Sequence, residues 1–285
     1  MTVDSSTSAH RRPTLKFPAH ACDAHCHVFG PGTRFPYAEQ RSYTPPDSPK
    51  EALAALHDRM GIERCVIVQG ACYGSDHSAL LDAIAAAPER RRGVALMDGR
   101  LGTVELEALH RGGVRGARFN FVRRLGGAPS PQVIADVTAR IRPLGWHLVF
   151  HFEAGQLAAQ AHWLRDLTIP FVIDHFARID MESGMQQPDV HLLLELARLE
   201  HCWLKISAAD RISVPPFHAA VPLARAILEV APGRVLWGTD FPHPNRQHEA
   251  DDADLADLVA LFAPDARDRQ RLLVDNPARL YGFPS

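Results

Sequence analysis

Two histidines one residue apart, His25 and His27, interrupt the apolar run "ACDAHCHVFGP" (residues 21–31) just ahead of a Gly-Pro turn. In a β-strand, residues two apart share a face, so both imidazoles would point the same way. Such a pair suits a metal site or a catalytic pair, and equally two hydrogen-bonded core residues. Other apolar runs also end in polar residues. His151 closes "HLVFH", His175 and Arg178 lie in "IDHFAR", and Asp240 and His243 lie in "LWGTDFPHPN". Arginines fall at matching places: Arg118 within "VRGARFNFVRR", Arg123 and Arg124 just beyond it, and Arg211 after "KISAAD".

Taken singly, each residue has an ordinary reading. A lone histidine in an apolar strand is usually a hydrogen-bonded core residue, a loop arginine is usually solvated, and an aspartate before a proline often makes a turn. Taken together they do not, because burying four imidazoles and a carboxylate at the same end of different strands without purpose is costly. Imidazole and carboxylate suit zinc or a similar divalent ion whose open position holds water. Metal-bound water becomes hydroxide near neutral pH, its pKa lowered to about 7. Without metal, Asp240 could itself take a proton from water while the histidines orient the electrophile. Either route is hydrolytic.

The elements that must position these residues follow one pattern. Short β-branched runs at 20–28, 64–69, 93–97, 116–121, 147–152, 171–175, 203–207 and 235–238 alternate with segments of helical period. Leu53, Leu56 and Met60 share a helix face, as do Val133, Ile134, Val137 and Ile141. Gly61, Gly145 and Pro232 mark helix ends. About eight strand–helix units predict a single (β/α)₈ barrel over residues 17–285, with catalytic groups at the C-terminal ends of the strands. A doubly wound sheet is the competitor, but no Gly-x-Gly-x-x-Gly follows an early strand.

Composition narrows the functional classes. The formal charge of −2 gives no sign of nucleic acid or an anionic membrane as partner. No apolar run reaches the roughly 18 residues that span a bilayer, and the polar start "MTVDSSTSAHRRP" lacks a secretory apolar core. Five cysteines without paired spacing argue against a disulfide framework. The expectation is a cytoplasmic protein, monomer or homodimer, with a flexible leader over residues 1–16.

With these residues in place, the chain resembles the amidohydrolase superfamily. The resemblance rests on "DAHCHVFGP", "VIDHFAR", "WGTDFPHP" and the closing "DNPARLYGF". Within the superfamily it is most similar to the lactonase group that includes 2-pyrone-4,6-dicarboxylate and sulfomuconolactone hydrolases, through "FGPGTRFPYAEQRSYTPPD", "RGARFNFVRRL" and Arg178 after His175. The resemblance implies a barrel that opens a cyclic ester from aromatic catabolism. It implies Asp240 as general base and His25, His27 and His175 around the carbonyl. It also implies Tyr43, Arg118, Arg124, Arg178 and Arg211 on the acidic groups of a dianionic substrate, which guanidinium forks pair bidentately. His243 and Asn245 stand second in rank near the base.

Two departures bear on the cofactor. His151 stands where the metal-free pyrone hydrolases resembled here carry tyrosine, and Ala71 in "QGACYGSDH" stands where a serine is expected, with Ser75 nearby. His25, His27, His151 and Asp240 together look like a zinc-ligand set, so the cofactor is zinc or none, and zinc would favour the sulfonated lactone. The remaining alternatives are a metal-dependent decarboxylase of an unsaturated acid and a non-catalytic barrel that binds an anionic metabolite.

Overall fold

The computed structural model describes residues 11–245 and 250–284. Eight parallel strands stand in sequential order, with helices in the crossovers. The strands are β1 (Cys22–Cys26), β2 (Arg64–Val68), β3 (Arg91–Leu96), β4 (Val114–Asn120), β5 (His147–His151), β6 (Phe171–Ile173), β7 (Cys202–Lys205) and β8 (Val235–Leu236). The main helices are α1 (Lys50–Met60), α2 (Ser78–Ala85), α3 (Thr103–Arg111), α4 (Pro131–Ile141), α5 (Leu157–Asp166), α6 (Pro188–Ala197), α7 (Ala220–Val230) and α8 (Asp252–Phe262). After α8 come α9 (Ala266–Gln270) and α10 (Asn276–Tyr281). This is the (β/α)₈ barrel that the alternation predicts.

Local chemistry sets the ends of these elements. Ser130 accepts from the Val133 amide at the start of α4, with Pro131 in the first turn, and Asp251 caps α8 by accepting from Ala253. Gly61 ends α1 in a left-handed conformation, φ 76°, which costs glycine little. Strand side chains alternate between two cores. Cys65, Ile67, Phe119, Phe150, Ile173 and Leu204 pack outward beneath the helices. Val66, Val68, Val94, Val149, Val172 and Leu236 fill the barrel interior with Tyr281 and Phe283. Arg64 and Arg92 lie over the Phe283 ring and donate to the Pro284 and Gly282 carbonyls, so the C-terminal residues plug the floor.

The seam between β8 and β1 closes by a different device, because β8 is only two residues long. The Ala24 amide donates to Trp237 O and the Asp240 amide to His25 O, both at 2.8 Å. The buried Asp23 carboxylate accepts from the Thr239 amide (3.0 Å), the Thr239 hydroxyl (2.6 Å) and the His25 amide (3.1 Å). His57 of α1 reaches the same carboxylate at 3.1 Å.

Part of the expected leader falls within the described residues. Residues 1–10 lie outside the described residues, but 11–16 are strapped to α8. Arg11 pairs with Asp254 and Asp257 at 2.6 and 2.8 Å, and Asp257 also accepts from the Thr14 hydroxyl and the Leu15 amide. Polar composition suggested a free tail, and the acidic face of α8 supplies the partners that a linear reading cannot see. All five cysteines are buried and free. Among the described residues no helix is long and apolar enough to cross a membrane.

Gly238 allows the close approach at the seam. A Cβ there would press on the His25 amide nitrogen and come 2.7 Å from the His25 Cβ. Gly238→Ala is expected to destabilise the fold by about 1–3 kcal/mol, measured as a lowered urea midpoint at unchanged m-value.

Candidate active site

The floor of the site is set by strand parity and one irregularity. Pairing of β1 with β2 advances three residues on β1, Asp23 to Cys26, against two on β2, a β-bulge. The bulge changes the alternation. Ala24 packs inside the barrel and Cys26 outside it, and His25 and His27 both face the mouth. Inward positions on later strands add Arg118 and Asn120 from β4, His151 from β5, Asp174 after β6, Lys205 and Ser207 from β7, and Asp240 after β8. All of these are buried.

Backbone strain aims several of these groups. His175, Phe176, Ala177 and Arg178 form one left-handed turn with φ of 52–56°, and Asp240 has φ 60°. Every described non-glycine residue with positive φ, His20 apart, lies in the loops after β6, β7 and β8. Strain held at one end of a barrel is the usual companion of a functional site.

Three imidazoles converge on one carboxylate oxygen. Asp240 Oδ1 lies 3.3 Å from His27 Nε2, 3.7 Å from His25 Nε2 and 3.8 Å from His175 Nε2. The other oxygen, Oδ2, accepts from Arg211 Nε (2.9 Å) and a terminal guanidinium nitrogen (2.6 Å). Burial alone would raise the Asp240 pKa, but Arg211 and His175 hold it well below the usual carboxylate range, so Asp240 is ionised. Burial, then the Lys205 charge, lowers His25 to about 3, and burial together with neighbouring cations pushes His151 and His175 well down. His25, His151 and His175 are therefore neutral at neutral pH.

Below this point lies a charged cluster that the motifs did not reveal. Asp174 Oδ1 is 3.1 Å from Lys205 Nζ and 3.4 Å from His25 Nδ1, and Oδ2 accepts from Arg118 Nε at 3.0 Å. Lys205 Nζ is also 3.1 Å from His25 Nδ1. Both Asp174 and Lys205 were legible in principle, one residue before His175 and two before Ser207, on the inward side of their strands. Ser207 Oγ is 2.9 Å from His175 Nδ1, and Asn120 Oδ1 is 3.2 Å from His151 Nδ1.

The residues singled out from the sequence mostly share one cleft. It is lined by His27, His151, His175 and Asp240 together with Tyr43, Arg118, Arg124 and Arg211, and Ala71 and Asn245 complete its wall. Four placements differ from the expectation. Arg178 borders the next hollow, with Asp180 and Asp210, because the left-handed turn carries it away. Arg211 is spent on Asp240, and Arg118 is tied through Nε to Asp174 while it lines the cleft. His243 pairs with Asp252 at 2.9 Å and turns from the base. Of the expected metal set, His25 and Asp240 have donor atoms within 4.8 Å of one another, joined by His175, whereas His27 and His151 are outside that group.

A barrel with this convergent His/Asp mouth defines a hydrolytic class, and the chain belongs to the amidohydrolase family, whose profile matches residues 22–283. It is 43% identical over 283 residues to a 2-pyrone-4,6-dicarboxylate hydrolase of Comamonas testosteroni, covering 95% of this chain and 92% of that one. It is 42% identical to a 4-sulfomuconolactone hydrolase of Rhizobium radiobacter, covering 94% and 92%. A crystal structure from Acinetobacter baumannii with citric acid bound superposes with a TM-score of 0.83 at 25% identity, covering 93% and 100%.

Burial opposes the Asp174 charge, and Lys205, His25 and Arg118 override it, so its pKa sits well below the ordinary 3.8. A depressed native pKa gives stability that is present above the unfolded value and lost as pH falls toward the native one. Asp174→Asn is expected to cost about 3–5 kcal/mol near neutral pH, because it strands buried cations. That cost should shrink in acid, as followed by urea unfolding across pH.

Proposed function

We propose that the protein hydrolyses a small dianionic lactone from aromatic catabolism, 2-pyrone-4,6-dicarboxylate or a near analogue. The carrying observation is the arrangement of guanidinium groups around one open carboxylate oxygen. Arg118 and Arg124 line the cleft that Asp240 Oδ1 faces, and Arg178 and Arg211 stand beside it. With Lys205 below, Arg118, Arg124 and Arg211 stand against Asp174 and Asp240, an excess of two that suits a substrate with two negative charges and would not serve a neutral sugar lactone. Two relatives above 40% identity carry the names of lactone hydrolases, and a tricarboxylate occupies the Acinetobacter baumannii structure.

In the reaction, Asp240 Oδ1 takes a proton from water as the water oxygen bonds to the lactone carbonyl carbon. The histidines stabilise the resulting oxyanion, a contribution of the kind that is often the largest in acyl transfer. Collapse breaks the ring C–O bond, and the proton on Asp240 passes to the departing ring oxygen. Arg211, held on Oδ2, keeps the base ionised and aims its other oxygen. Tyr43 and Arg124 come from loops above the floor and orient the two acidic groups.

The donor set fits a divalent ion. Ring nitrogens of His25, His27 and His175 surround Asp240 Oδ1, and the Nε2 atoms of His25 and His151 are buried without a hydrogen-bond partner. An ion at this point would be held by Asp240 Oδ1 and imidazole nitrogens from this set. It would lower the pKa of its water and polarise the carbonyl. The unpartnered His151 and the presence of Ala71 in the cleft favour a second reading, zinc-dependent hydrolysis of a sulfonated muconolactone. Five unpaired cysteines suit a reducing compartment, and on this reading the enzyme works in the cytoplasm.

The test is ring opening, followed by absorbance, of both lactones with native and chelator-stripped enzyme. Asp240→Asn is expected to lower kcat by about 10²–10⁴-fold while substrate still binds; near-normal turnover would remove Asp240 as base. Arg124→Met should raise KM with little change in kcat, and an unchanged KM would rule out its anion contact. Release of carbon dioxide in place of ring opening would mark a decarboxylase.

A further inference from the structure

The two imidazoles of the His-x-His pair are held by chemically opposite partners. His27 Nδ1 lies 2.7 Å from the Val68 carbonyl oxygen, which only accepts. Nδ1 of His27 therefore carries a proton, and its Nε2 faces the Asp240 carboxylate at 3.3 Å. His25 Nδ1 lies 3.1 Å from Lys205 Nζ. Lys205 is wholly buried in a salt bridge to Asp174, and an ammonium has three donors and no acceptor. A proton on His25 Nδ1 would meet one of those N–H groups head-on. Asp174 Oδ1, at 3.4 Å, is the more distant neighbour and forms an ion pair with Lys205 at 3.1 Å.

We infer that Lys205 is a positioning residue that fixes His25 as the Nε2–H tautomer, so that His25 enters the site as a hydrogen-bond donor. The inference deepens the lactonase reading and rests on it for its catalytic meaning. His25 Nε2 is buried and has no partner of its own, so its N–H is free to donate to the oxygen that gathers negative charge in front of Asp240. A ring nitrogen that carries a proton has no lone pair for a metal. With Lys205 in place, His25 Nε2 would offer no lone pair to a cation in the mouth, which would be held by Asp240 and the other imidazoles. The apparent symmetry of His25 and His27 in the sequence is broken by a lysine 180 residues away.

The experiment uses the full chain with nitrogen-labelled histidine side chains. Two-bond proton–nitrogen correlation spectra would read each tautomer, and the His25 signals would be assigned by their loss in His25→Gln. Expected are a protonated Nε2 on His25 and a protonated Nδ1 on His27; an Nδ1-protonated His25 overturns the inference. In Lys205→Met, which removes every donor and keeps the length, His25 should switch to Nδ1–H donating to Asp174. There kcat should fall by about 10²–10³-fold, the cost of one misdirected oxyanion donor, with KM little changed. A folded Lys205→Met protein that keeps the original tautomer also overturns it.

If that variant does not fold, the wild-type protein loaded with cadmium still decides. Cadmium–nitrogen coupling should appear at His175 and be absent at His25, and coupling at His25 refutes the assignment. The lactone assay is read separately. Failure to open any lactone with the expected tautomers intact removes the function and leaves the Lys205 assignment standing.

Discussion

A single buried carboxylate, Asp174, organises the mouth of the barrel. It lies among Arg118, Lys205 and His25, so one side chain links four strands, β1, β4, β6 and β7, across the interior. None of these groups is tolerable there alone. An unpaired lysine or arginine in a dry barrel would be neutralised or would unfold the domain, and their repulsion would otherwise be unanswered. With Asp174 in place, the cations become fixed charges at known positions. The cleft above them carries positive potential without needing mobile side chains to supply it.

The carboxylate of Asp240 works on the same logic with its two oxygens divided. One is saturated by Arg211, and the other is left to three imidazoles. The division requires Asp240 to sit at positive φ on a turn whose start is clamped through Thr239 to Asp23. Strain at Asp240, and in the left-handed turn after β6, is sustained because the seam and the charged floor over-determine the geometry. Rigidity below and strain above are two aspects of one arrangement.

Much of this was legible in the chain. All eight strands fall where β-branched runs were read, with ends trimmed by a residue or two, because the C-terminal strand residues leave the ladder to enter the site. His27, His151, His175 and Asp240 come together as their places at strand ends imply. The bulge in β1 was not legible, since alternation of residue types does not reveal where a ladder skips. Asp174 and Lys205 belong to no motif, and only parity along Val172–Asp174 and Trp203–Lys205–Ser207 marks them as inward-facing. Arg178 and Arg211 had the right residue type at the right strand end, but backbone handedness and competition for Asp240 decided where each guanidinium went.

The floor and the roof of the cleft have separate origins. The floor is built on strands and locked by buried charge, whereas Tyr43 and Arg124 belong to surface connections after β1 and β4. Changes to the floor are lethal to the fold or the chemistry, but changes to the roof are not. A lineage can therefore exchange one acidic ring substituent for another, carboxylate for sulfonate, by drift in exposed loops alone. Closely matched sequences need not share a substrate, and divergence in this group should accumulate from the rim inward.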